Sequence, residues 1–386
     1  MAELNPSMAA SLASEIYSVQ DEDAFQLFLA RGIFSQKIAH QNKLTANVGG
    51  RIIRNARDGF GLCAMGDGAK HKGDAFFIFR GTTMANNKAD VISDARIGTQ
   101  FSKTGTQVHI GFNEIFKSML KDIKEFVRSN HNEMKGMIHC VGHSLGGAVA
   151  TLAADWLKSQ TGRTVKLYTF GQPRTGLALF NWKLTSKLTA ANIHRVFHST
   201  DPVPMVPIFP YLHSPTPGDG HYIHSDNKII SGEAHKMAGY ITSVKNKAWD
   251  GIQRRAAVFN HEQAIVELLE SKVGLNPEDP KTWSWLDSAL IWIIKKVVGN
   301  AISILHAGIV GVHTLADRIA WILQKGINLA ENVSYYVKLF IKKVMQILGM
   351  RPSIDSKKLS HSFLQGLLRM LIHRSHELAK KAFRNL

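Results

Sequence analysis

A chain of 386 residues is too long for one minimal domain and long enough for one large domain with an extension. Hydrophobic residues make up 45%, so a sizeable core can be buried, and the net charge of +17 favours anionic partners. The excess is spread, +8 over residues 1–250 (28 basic, 20 acidic) and +9 over 251–386 (19 basic, 10 acidic); with no dense basic run and no nucleic-acid motif, nucleic acid is excluded as the expected partner.

The N-terminus, Met1 to Met8, has neither the basic start nor the apolar core of a secretory signal. Cys63 and Cys140 both lie in apolar runs and read as buried free thiols, which implies no disulfide framework and a reducing compartment. The expectation is a protein made in the cytoplasm without a signal peptide, exported only by a signal-independent system, and acting at membranes.

Residues 8–38 read as helical, with Pro6 and Ser7 as start signals and Gly32 near a break. From Arg51 to Ile241 the pattern alternates. Apolar strand candidates are Gly61–Met65, Ala75–Phe79, Met137–Val141, Val165–Phe170 and Ile193–His198. Helical stretches fall at Glu114–Ser129, Ala148–Gln160 and Leu177–Leu188. Strands alternating with helices predict an α/β domain with a mostly parallel central sheet, whose functional groups gather at the carboxyl ends of its strands.

Gly142-His143-Ser144-Leu145-Gly146 follows one of those strands and opens a helix. That is the context of a nucleophile elbow, where glycines relieve the clash of flanking strand and helix around a strained serine. A serine hydroxyl is a weak nucleophile and needs a histidine base oriented by a carboxylate. In a sheet of this kind the chain order is serine, acid, histidine. Asp201 follows the strand Ile193–His198, 57 residues beyond Ser144. The later histidines are His213, His221, His224 and His235; His235 opens a helix and is the leading base, with His224 next. The oxyanion donors expected are the Leu145 amide and, from the loop after Ala75–Phe79, Thr82, with Gly81 allowing close approach. This chemistry calls for no cofactor and no metal.

Beyond residue 250 no strand signal is seen. Helical stretches at Glu262–Glu270, Trp283–Leu305, Gly308–Gln324, Ile327–Leu348 and Leu359–Phe383 are separated by Pro- and Gly-containing breakers. Trp283, Trp285, Trp292 and Trp321, with Lys295, Lys296, Lys325, Lys338, Lys342 and Lys343 interrupting the apolar runs, predict interfacial amphipathic helices on an anionic membrane surface. The same faces packed on one another as a soluble cap is the competing expectation.

Several separated motifs together resemble the class 3, or fungal-type, lipase family and its bacterial relatives. Phe79-Arg-Gly-Thr82, Val108-His-Ile-Gly-Phe112, the serine motif, Thr169-Phe-Gly-Gln-Pro-Arg174, Asp201-Pro-Val-Pro204 and His235–Tyr240 match its segments. Ala89-Asp90-Val-Ile-Ser-Asp94 is similar to its Asp-Trp-x-x-Asp lid element, with Val91 at the tryptophan position. The resemblance, over residues 10–245, implies an α/β-hydrolase fold, Ser144, Asp201 and His235 as triad, Thr82 and Leu145 as oxyanion donors, and Asp90 and Asp94 in the lid. It departs in the short interval of 34 residues from Asp201 to His235, and in a polar lid that suits a charged, amphiphilic lipid.

The domains expected are a hydrolase over 1–250 and a helical region over 251–386, which resembles the extensions of bacterial lipase effectors of contractile, type VI-like secretion systems. The function implied is a lipolytic serine hydrolase acting on acyl esters of lipids, phospholipids among them. An inhibitory or secretion-adaptor protein is a further expected partner. Two alternatives stand beside it: a soluble esterase or acyltransferase on the same fold, and a membrane-active or adaptor-binding helical protein with the hydrolase as carrier.

Overall fold

The computed structural model describes residues 2–47, 57–81, 98–225, 228–255, 262–299, 315–352 and 359–384. Its strands are β1 (Gln41–Asn47), β2 (Arg57–Met65), β3 (Ala75–Phe79), β4 (Thr99–Phe101), β5 (Gln107–His109), β6 (Ile138–His143), β7 (Val165–Phe170), β8 (Ile193–His198), β9 (Gly220–Ile223) and β10 (Arg254–Arg255). Eight form one sheet in the order β1-β2-β3-β6-β7-β8-β9-β10, while β4 and β5 pair separately. The run from β3 to β9 is parallel; β1, β2 and β10 pair antiparallel at the two edges.

The helices of the first part are α1 (Pro6–Glu15), α2 (Glu22–Leu29), α3 (Gly68–His71), α4 (Ile110–Ser129), α5 (Leu145–Thr161), α6 (Ala178–Leu188) and α7 (Met237–Val244). Side chains of a strand alternate between the faces of its sheet, and both faces here are covered. Ala75, Phe77, Phe79 and Cys140 pack with α4 and α5, whereas Phe76, Ile78, Val141 and Tyr168 pack with α1, α2 and α7. Continuous apolar runs such as Ala75–Phe79 are what two buried faces require. Both cysteines are buried and free.

Five further helices follow: α8 (Glu262–Glu270), α9 (Pro280–Val298), α10 (Leu315–Ile327), α11 (Glu331–Ile347) and α12 (His361–Arg384). They build a third core of their own, into which Ile208 and Phe209 of the segment after β8 also pack. On α12, Ala379 meets Val203 and Val206. Asp287 on α9 is buried; it accepts the Phe209 amide at 2.9 Å and pairs with Arg174 at 2.5 Å. Removing one partner of a buried ion pair strands the other charge. Asp287→Ala is therefore expected to cost about 3–5 kcal/mol of stability, measured by denaturant unfolding.

Several expectations shift. The helix over 8–38 is broken by a 3₁₀ turn at Ile16–Gln20, because Asp21 takes an extended conformation and caps α2 by accepting the Ala24 amide. Helix α9 starts at Pro280, capped by Asp279, and stops before Gly299 at φ 65°. Residues 300–314, in the expected Trp283–Leu305 and Gly308–Gln324 stretches, lie outside the described residues. The sheet reaches past residue 250, through β10.

The interfacial reading of 283–348 meets a correction. Trp283, Trp285 and Trp292 are only 2%, 2% and 9% exposed, in the helical core, and Trp321 alone of the four is half exposed, at 50%. Lys343 is buried too, its ammonium donating to the carbonyls of Ser271 and Val273 and to the Ser271 hydroxyl. These three tryptophans and Lys343 are taken up by contacts inside the chain. No helix of the described residues is long and apolar enough to cross a membrane.

Candidate active site

Ser144 sits between β6 and α5 with φ 55° and ψ −130°. A positive φ on a residue other than glycine costs on the order of 1–3 kcal/mol and persists only where the surroundings impose it. They do so here. The Ser144 amide donates to the Phe170 carbonyl at 2.9 Å, and the Gly147 amide donates to the Ser144 carbonyl at 2.9 Å. A side chain at Gly142 would run into the backbone of Gly146, and one at Gly146 into the carbonyls of Phe79 and Arg80. These two glycines let strand, turn and helix close around the serine. Gly81 fits as tightly: a Cβ there would stand 2.9 Å from Ser144 Cβ. Gly81, two residues past β3, thus stands against the serine.

The carboxyl end of β8 supplies Asp201, and a 3₁₀ turn before α7 supplies His235; both are buried. His235 Nδ1 donates to Asp201 Oδ2 at 2.8 Å, with Oδ1 at 3.0 Å. That proton placement makes Nε2 the acceptor nitrogen of the ring. Asp201 is anchored in turn. Its Oδ1 accepts the Val203 amide at 2.9 Å, and its Oδ2 accepts the Tyr240 hydroxyl at 2.7 Å. Burial first, then the neighbouring Asp201 charge, pushes the Tyr240 phenol well up, so it remains a neutral donor. Gly171, at φ 54°, permits the closeness of this group, since a Cβ there would lie 2.6 Å from Asp201 Oδ2 and 3.0 Å from His235 Nδ1.

His143 ties the serine motif to the base. Its Nε2 donates to the His235 carbonyl at 2.8 Å, and the two rings lie 4.6 Å apart. A carbonyl only accepts, so Nε2 carries the proton and Nδ1 receives the Tyr17 hydroxyl at 2.8 Å. Burial, then the nearby His235, holds His143 well below the usual imidazole range, and the ring stays neutral.

Asp201 and His235 are thus bonded to each other, and His143, the residue before Ser144, holds the His235 carbonyl. Leu145 opens α5, so its N–H has no acceptor within its own helix and sits at the positive end of the helix dipole. The Ser144 hydroxyl is buried and makes no hydrogen bond among the described residues. Thr82, Asp90 and Asp94 lie outside the described residues. The other histidines are engaged elsewhere: His213 donates to the Pro204 carbonyl at 2.8 Å, His221 packs 4.9 Å from the Trp249 ring, and His224 is exposed, 3.4 Å from the Tyr222 hydroxyl.

Tyr240, His143 and Tyr17 escaped the sequence reading as site residues. Tyr240 was visible as the last residue of the His235–Tyr240 stretch, five beyond His235, but nothing in the sequence says that its hydroxyl turns toward Asp201. Tyr240→Phe removes one hydrogen bond to a charged group, about 1.5–3 kcal/mol. The expected result is a kcat about 10- to 100-fold lower with KM unchanged, read in steady-state ester hydrolysis.

Comparison with known proteins bears on this arrangement. The family model for class 3 lipases matches residues 76–211. Secreted mono- and diacylglycerol lipase 1 of Fusarium solani is 38% identical over 143 residues, which are 34% of this chain and 42% of that protein. Phospholipase A(1) DAD1, chloroplastic, of Arabidopsis thaliana is 31% identical over 115 residues, 28% of this chain and 25% of that protein. The chain thus spans less than half the length of these curated relatives. A lipase from Rhizopus microsporus var. chinensis of known structure is 23% identical, with a TM-score of 0.41 over 57% of this chain and 74% of that one. The expected cytoplasmic, signal-free origin is overturned by relatives that are named as secreted lipases. The matched segment runs from β3 through the serine elbow and past Asp201, so the part of the chain that holds the elbow and the mostly parallel sheet is similar to class 3 lipases.

Proposed function

We propose that the chain is a lipolytic serine hydrolase that cleaves acyl esters of lipids through an acyl-enzyme. The observation that carries this reading is the buried Asp201–His235 pair, tied through His143 to a serine held at φ 55° on an elbow. Ser144 Oγ attacks the ester carbonyl carbon as its proton passes to His235 Nε2. The oxyanion takes the Leu145 N–H, joined in the expected scheme by Thr82. The carbon–oxygen bond then breaks, and His235 returns the proton to the departing alcohol. Water, activated by the same imidazole, attacks the acyl-serine and releases the fatty acid. Asp201 stabilises the imidazolium and fixes its tautomer, with Tyr240 and the Val203 amide holding the carboxylate in place.

Relatives that include a mono- and diacylglycerol lipase and a phospholipase A(1) support a lipid ester as substrate. The charge of +17 and the polar composition of residues 84–98 favour an anionic or zwitterionic phospholipid presented at a membrane surface. The helices beyond residue 250 act as a cap: they bury Trp283, Trp285 and Trp292 and clamp the segments around Arg174 and Val203. Purified protein and its Ser144→Ala variant, incubated with mixed phospholipid and diacylglycerol vesicles, test the proposal. Free fatty acid with lysophospholipid, made by the wild type alone, is the expected product pattern. Hydrolysis only of a water-soluble short-chain ester points to the esterase alternative, and equal products from both proteins overturn the mechanism.

A further inference from the structure

A second cluster of functional groups lies at the other end of the sheet. Asp74 directly precedes β3, His71 ends α3, and His139 is the second residue of β6. Ser144 is five residues further along, about 16 Å at 3.3 Å per strand residue. Asp74 Oδ2 lies 3.0 Å from His71 Nδ1 and 3.2 Å from His139 Nε2, and the three atoms are all within 4.8 Å of one another. Zinc–ligand distances near 2.05 Å at a tetrahedral angle put neighbouring donor atoms about 3.3 Å apart. The two separations from Asp74 Oδ2 are within a few tenths of that edge, and the two imidazole nitrogens lie within 4.8 Å of each other.

The surroundings are built for fixed donors. His139 is fully buried on β6, its ring stacked 4.8 Å from Phe76. Its far nitrogen, Nδ1, stands 3.4 Å from the Tyr168 hydroxyl, the kind of outer partner that orients a ligating imidazole. Asp74 Oδ1 accepts the Met137 amide at 2.8 Å, which aims Oδ2 at both rings. Gly136 flanks the carboxylate so closely that a Cβ there would collide with Oδ1. His71 is the half-open side, its side chain 12% exposed, and gives solvent access to the group.

We propose that His71, Asp74 and His139 form a binding site for a divalent transition-metal ion of zinc type, with Nδ1, Oδ2 and Nε2 as ligands and a water in the fourth position. Two imidazoles and one carboxylate without thiolate suit zinc or cobalt rather than calcium or magnesium. The ion fastens the α3–β3 connection to the start of β6. At about 16 Å from Ser144 it takes no part in ester chemistry.

The test uses full-length protein stripped with a chelator, titrated with Co(II) and then Zn(II). The proposal expects one equivalent of Co(II) with the intense visible bands of a four-coordinate site, bleached by Zn(II), and a melting temperature raised by Zn(II). His71→Ala, at the partly exposed position, should weaken binding by at least about 10-fold, since even outer-shell partners are worth that much. Asp74→Asn should do the same, and Ser144→Ala should bind as the wild type does. The absence of both the visible bands and a Zn(II)-dependent melting shift would leave a hydrogen-bonded trio and overturn the proposal. So would unchanged binding in His71→Ala. If Asp74→Asn does not fold, His71→Ala decides alone.

Discussion

Ser144→Ala is expected to lower kcat for acyl-ester hydrolysis by roughly a millionfold, the cost typical of deleting a triad nucleophile. The serine hydroxyl is buried directly after β6, at the elbow. The alanine variant keeps the glycine contacts, the Phe170 and Gly147 backbone bonds and the Asp201–His235 pair, so its circular dichroism and melting temperature should match the wild type. Steady-state turnover of a soluble ester and of vesicle lipid, measured side by side, checks this.

His235→Ala is expected to be as inactive as Ser144→Ala, and the double variant scarcely worse, because nucleophile and base act as one unit. The contrast with the remaining histidines is sharp. His224 is exposed and 3.4 Å from the Tyr222 hydroxyl, so His224→Ala should retain nearly full turnover. His213 and His221 are buried for packing, and their alanine variants should lose stability rather than chemistry. A dead His224→Ala beside an active His235→Ala would move the base and contradict the assignment.

The elbow was legible because its requirements are local. A serine at positive φ between a strand and a helix needs glycine at 142 and 146, and the sequence shows both. The alternation of strand and helix was legible for the same reason, since two buried faces demand continuous apolar runs. Strand β1 was not: Gln41–Asn47 is polar, with only Leu44 and Ala46 buried, and it is recruited as an edge by β2. The tryptophans of α9 show a deeper limit. An apolar helical stripe has the same periodicity whether it meets a bilayer or another helix, and only tertiary packing decides. Likewise His139 hid inside what read as an apolar strand. Its meaning depends on Asp74, 65 residues earlier, becoming its neighbour across parallel strands.

The central claim, that Ser144 is a nucleophile activated by His235 and Asp201, is tested most directly by labelling with a fluorophosphonate probe and mapping the adduct by peptide mass spectrometry. The account predicts one adduct, on Ser144, with labelling lost in Ser144→Ala and strongly slowed in His235→Ala. An adduct on another residue, or undiminished labelling of the Ser144→Ala variant, would contradict it.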